Sequence, residues 1–206
     1  MIKIENLGTE FDEVTAGFHH EEIYVGLVDE MLNITEPIEI KKLKPDSVID
    51  DLIVIKNNHT FIDGVNFTKV KAIQESVSLE TTQIGTATKS PLQENKLTVQ
   101  LLGSKAGLLG FKRWLKGKDL IVLAPEFGSN FKRQFGSKKQ PCKLIEASSK
   151  IEPTKDGENV TTLVFRDSQK YDAPYYLGDL SGVVEFFKTD YETITSDRDD
   201  VSCDID

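Results

Sequence analysis

Along most of this chain apolar and polar positions alternate in short runs closed by Gly, Pro, Asn and Asp, the pattern of strands rather than helices. The clearest runs are 23–28, 52–55, 65–70, 96–102, 120–123 and 160–165. Between 96 and 102, Leu97, Val99 and Leu101 fall on one side and Thr98 and Gln100 on the other, as a half-buried strand requires. Phe131, Arg133 and Phe135 alternate with Lys132 and Gln134 in the same way. Turn chemistry lies between the runs, at Asp63-Gly64, Gly128-Ser129-Asn130 and Lys155-Asp156-Gly157. The last of these separates 148–152 from 160–165 and predicts a hairpin.

One segment departs from the strand pattern. Leu108, Phe111 and Leu115 recur at helical spacing, with Leu109 and Trp114 widening the stripe. Ser104 stands as an N-cap residue, Gly117 as a C-cap glycine, and Lys112, Arg113 and Lys116 crowd the last turn. A short helix over about 104–117 follows. Gly107 and Gly110 each weaken it by about 1 kcal/mol relative to Ala, so packing must hold it. The stretch 71–95 reads as a strand with a long loop, or as a long hairpin. The expected fold is therefore mainly β: an antiparallel sandwich or barrel-like core with one short flanking helix, spanning 1–180. An acidic extension follows at 181–206.

Composition narrows the function classes. No apolar run reaches the length that crosses a bilayer as a helix. The first residues carry acids and no apolar signal core, so the expected starting compartment is the cytoplasm, with no membrane partner. There Cys142 and Cys203 stay thiols and the Asn-x-Thr triplets at Asn33, Asn58, Asn66 and Asn159 are ordinary strand and turn residues. His19-His20-Glu21-Glu22 lacks the spacing that sets two metal ligands on one helical face. GSKAGLLG at 103–110 fails the phosphate-loop spacing, and no nucleophile elbow occurs. Cys142 follows Pro141 in a basic stretch that favours a thiolate, yet no histidine is near it in sequence. The expectation is a protein that is not an enzyme and uses no cofactor and no metal.

Charge is distributed in blocks. Residues 1–40 carry ten acids and one base, 105–143 ten bases and two acids, and 179–206 nine acids and two bases. Such a chain suits self-association, the basic middle of one copy meeting the acidic ends of another. The candidate inter-subunit basic patch is Lys112, Arg113, Lys116, Lys118, Lys132, Arg133, Lys138 and Lys139. The candidate acidic partners are Glu10, Asp12, Glu13, Asp197, Asp199 and Asp200. Aromatics interleave with the bases over 111–143, so a nucleic-acid-binding β module is the alternative from another class. A sequence pI near 5.0 weighs against it.

The order of elements from 97 to 176 resembles the tail tube proteins of long-tailed bacteriophages. A strand, KLTVQLL, leads into the helix at 108–115. DLIVLA from Asp119, NFKRQFGS from Asn130, PCKL from Pro141, a charged hairpin, the strand at 161–165 and Pro174-Tyr-Tyr176 follow. The resemblance implies a β-sandwich or barrel-like core with a flanking helix and a long loop or hairpin. It also implies hexameric rings of this chain stacked into a hollow virion tube, made in the bacterial host cytoplasm together with other phage tail proteins. DNA passes through that tube without specific binding, and no catalytic residue carries over. The acidic extension has no counterpart in the pattern. A tail-tip or head–tail joining ring of the same fold is the alternative within this class.

Overall fold

The computed structural model describes residues 17–18, 22–44, 47–86, 91–127, 131–154, 156–180 and 182–185. Among them the strands are, in chain order, β1 (Glu22–Leu27), β2 (Met31–Asn33), β3 (Val54–Ile55), β4 (Thr60–Phe61), β5 (Thr68–Lys71), β6 (Ser78–Ile84) and β7 (Leu92–Leu102). The helix α1 (Ala106–Leu115) follows, then β8 (Leu120–Pro125), β9 (Lys132–Phe135), β10 (Lys143–Ile151), β11 (Asn159–Gln169), β12 (Tyr175–Tyr176) and β13 (Val184–Glu185). Among the described residues the fold is mainly β with one α-helix, and most strand pairs are antiparallel. Two sheets dominate, a seven-stranded one ordered β13-β5-β1-β8-β9-β12-β3 and a four-stranded one ordered β10-β11-β7-β6. The pairs β12–β3 and β13–β5 are parallel. A small β2–β4 ribbon completes the set.

The seven-stranded sheet is the middle layer, which explains its most apolar strand. On β8, Leu120, Val122 and Ala124 enter a core shared with Leu97, Val99, Leu101, Leu163 and Phe165 of the four-stranded sheet and with Leu108, Phe111 and Leu115 of α1. Ile121 and Leu123 enter a second core with Ile34, Ile55, Phe67 and Tyr176 on the other face. A strand covered on both sides has no position to spend on a polar residue, so its sequence is a continuous apolar run. The first core lies between the sheets of a sandwich. The second lies under the excursion from Val28 to Phe67, where short strands and 3-10 turns cap the middle sheet.

Several elements differ from the sequence expectation in extent. The 71–95 stretch, by contrast, takes one of its two expected forms, the long hairpin, with β6 paired with β7 from Ser78↔Thr98 to Ile84↔Leu92. The hairpin announced by Asp156-Gly157 is longer than expected, with β10 reaching back to Lys143. The run at 52–55 divides into a 3-10 turn, Ile49–Leu52, and β3, and 65–70 contributes only its second half to β5. Helix α1 begins at Ala106 with Lys105 at the N-cap and no side-chain cap bond, so Ser104 is not its cap. Its end follows the expectation, with Gly117 at φ +76° just past the C-cap Lys116. No helix among the described residues is long and apolar enough to cross a membrane.

Candidate assembly surface

The basic residues of 105–143 divide between two ends of the middle sheet. Helix α1 turns Leu108, Phe111 and Leu115 inward, so Arg113 and Lys116 face solvent while Lys112 reaches Ser149 Oγ on β10 at 3.0 Å. Lys118 is exposed just before β8, and Asp119 beside it pairs with Lys143 at 2.8 Å. The loop from Gly136 to Cys142 returns to this same end, where Leu120 and Cys142 exchange two backbone hydrogen bonds at 2.9 Å. Lys138 and Lys139 are exposed on that loop, and the Lys138 amide donates to Glu36 Oε1 at 3.2 Å.

Lys132 and Arg133 sit at the opposite end. Lys132 pairs with Pro125 in the β8–β9 register, five residues along β8 from Leu120 and hence about 17 Å away. Burial lowers the Lys132 pKa, with Asp179 nearby acting in the other direction. Arg133 is consumed by an internal clamp. Its Nε donates to Glu126 Oε1 at 2.6 Å, Nη1 to the Ala173 carbonyl at 2.9 Å and Nη2 to the Tyr175 hydroxyl, and its carbon lies 3.7 Å from the Tyr175 ring centre. The structure thus groups Lys116, Lys118, Lys138 and Lys139 at one end and sets Lys132 and Arg133 apart from them. Glu10, Asp12, Glu13, Asp197, Asp199 and Asp200 lie outside the described residues.

Two buried polar networks brace this framework, and neither was singled out from sequence. Asp167 takes hydrogen bonds from the Gly136 amide at 2.6 Å, Asn95 Nδ2 at 2.9 Å and Gln169 Nε2 at 3.3 Å. Burial raises its pKa against those bonds. Asn95 Oδ1 accepts from Thr81 Oγ1 and the Ala173 amide, tying β6, β7 and β11 to the segment before β12. On the other face His59 Nδ1 accepts from the Thr35 amide at 3.1 Å, which leaves Nε2–H to donate to Gln134 Oε1 at 2.9 Å. The ring lies flat on Tyr176 at 4.5 Å, and the His59 amide donates to the Tyr176 hydroxyl at 3.1 Å. Burial holds the His59 pKa at about 4, so the ring is neutral at pH 7.

These positions decide what the reactive residue types can do. Cys142 is fully buried, and burial with Asp167 alongside pushes its thiol pKa well up. The basic neighbours in sequence therefore do not produce a thiolate. Cys142 belongs to the core between the sheets, whereas His59 stacks on Tyr176 in the core on the opposite face. Among the described residues no group of three or more His, Cys, Asp or Glu can hold a metal ion.

The four-stranded sheet supplies the most distinctive surface. Its inner face is committed to the core, while β6 and β10 form its two edges. Both edge strands are long and mostly exposed, with Ile151 on β10 66% exposed. Cross-strand register places Ser78, Thr98, Val164 and Glu146 in one outer row and Gln100, Thr162 and Ser148 in the next. Glu80, Lys96 and Arg166 form another, with Arg166 3.6 Å from Glu94. The outer face is therefore wide and largely polar, and it carries charges of both signs, with Lys96 directly opposite Arg166. No protein-family model matches this chain, no curated protein matches it, and no solved structure matches it.

Proposed function

We propose that this chain is a structural ring subunit, and that stacked hexameric rings of it form the tail tube of a long-tailed bacteriophage. The observation that carries the reading is the four-stranded sheet with a covered inner face, a polar outer face and two long edges that no other described strand pairs. Unpaired N–H and C=O groups along such edges are templates for another strand. Pairing β6 of one copy with β10 of the next is a head-to-tail contact, and a head-to-tail contact closes into a ring when its rotation divides a full turn. In that ring the sandwich core lies outside and the polar face lines a bore. On that face Lys96 and Arg166 stand beside Glu80 and Glu94, next to uncharged rows of serine, threonine and glutamine, so a passing DNA meets cations that acids already offset.

Stacking uses the chain's charge blocks. Lys138 and Lys139, at one end of each subunit, meet the acidic N-terminal segment of the next ring, Glu10, Asp12 and Glu13, at a separation short enough to escape screening over about 8 Å. A tail-tip or head–tail joining ring needs the same lateral contacts and differs in how many rings stack. The basic–aromatic segment supports a nucleic-acid module less well, since Phe111 and Phe135 are core residues and Arg133 is held internally.

Negative-stain microscopy and light scattering of the purified protein test the reading. Rings or tubes far above 23.1 kDa are expected, with no retardation of single-stranded DNA. A chain that stays monomeric at low salt and high concentration while retarding single-stranded DNA is a nucleic-acid module instead.

A further inference from the structure

Helix α1 lines an open groove of about 450 Å³ that also touches Asn66, Thr68 and Glu30. Its helix side is formed by Gly107, Gly110 and Trp114 among others. Glycine is the poorest helix-interior residue after proline, so two of them three positions apart are not there for helix stability. They leave bare backbone along the groove, and a Cβ on Gly110 would meet no atom within 4 Å. Trp114, the single tryptophan of the chain, is 42% exposed beside it.

The chain's own course leads past this groove. Gly182 lies so close to Asn66 that a Cβ would stand 2.7 Å from the amide nitrogen, and Val184 is the β13 partner of Thr68. Residues 186–206 come next, opening with Phe186-Phe187, continuing through Tyr191, and carrying seven acids against Lys188 and Arg198. Along α1 and its flanks, from 105 to 118, stand Lys105, Lys112, Arg113, Lys116 and Lys118 and no acid. An apolar slot beside a cationic helix matches a segment that begins with two aromatic rings and continues acidic.

We propose that the segment 186–206 docks on its own domain, with Phe186-Phe187 entering the groove and the acidic remainder lying along the basic side of α1. Trp114 reads this out directly. Its emission is expected at shorter wavelength, and its quenching by acrylamide weaker, in the full chain than in F186S/F187S or in a chain ending at Glu185. Gly110→Leu fills the slot from the helix side, and trypsin is then expected to cut at Lys188 sooner than in the parent. Equal emission and quenching in the full chain and F186S/F187S, with Lys188 cut equally fast in parent and G110L, overturns the proposal. So does a Trp114 signal that appears only as protein concentration rises, because the groove then holds the segment of a second copy. The measurement is made on dilute protein and does not depend on ring formation.

Discussion

Gly136 holds a φ of +92° at the point where the β9–β10 connection closes on β8, and a Cβ there would stand 2.6 Å from both the Cys142 nitrogen and the Leu120 carbonyl oxygen. Both neighbours are backbone, so neither can swing aside. Gly136→Ala is expected to destabilise the fold by at least about 2 kcal/mol, adding left-handed strain to the clash, measured as a lower urea midpoint. His59 makes a pH prediction of definite sign. Its folded pKa of about 4 lies below the unfolded value near 6.5, so the unfolded chain takes up the proton first. Stability is intact above pH 6.5 and falls as pH drops toward 4, by up to about 3 kcal/mol. Asp167, raised by burial, contributes with the opposite sign just above the ordinary carboxylate pKa. Comparing urea unfolding of wild type and His59→Asn at pH 7 and pH 4.5 isolates the histidine, and an equal loss in both proteins would refute its role.

At the scale of elements, α1 shows both what the sequence discloses and where it stops. The stripe Leu108, Phe111 and Leu115 is buried as its spacing requires, yet the N-terminal cap falls on Lys105, whose side chain accepts no hydrogen bond from the first-turn amides. Lys105 already has the extended backbone of a cap residue, with ψ 151°. Lys105→Asp is therefore expected to stabilise the protein by about 1 kcal/mol, read as a raised urea midpoint at unchanged slope. Strands with one buried face were legible: Leu97, Val99 and Leu101 enter the core on β7 as their alternation says. So was the run on β8, although that it serves two cores was not. Asn95 and Asp167 fall in phase with these core positions, at 95-97-99-101 and 163-165-167. A polar residue in core phase was the available signal for the buried network. The excursion 28–67 was less legible because two-residue strands and 3-10 turns have too few residues to show a period. The extent of β10 escaped for a related reason: most of its positions are exposed, so few positions carry apolar contrast.

For the molecule as a whole, the charge blocks suggested one basic patch, and the run of β8 out and β9 back divides it, because residues close in sequence end on opposite ends of a sheet. On the proposed reading, assembly therefore rests on the edge of the four-stranded sheet more than on any single cluster of lysines. That role makes a prediction tied to the geometry of an antiparallel ladder. On an edge strand successive amides alternate between the partner strand and solvent. Proline removes one donor, so it is tolerated where the amide points outward and damaging where it bonds the neighbouring strand. Ser148 and Ser149 on β10 lie opposite Thr162 and Thr161 of β11, so their amides differ in this respect. Of Ser148→Pro and Ser149→Pro, one is expected to weaken the fold by roughly 3 kcal/mol and the other to leave a stable chain that no longer forms rings. Circular dichroism with urea separates the two, and light scattering reads assembly of the stable one. A stable proline variant that assembles like the parent would show that β10 is not the joining edge.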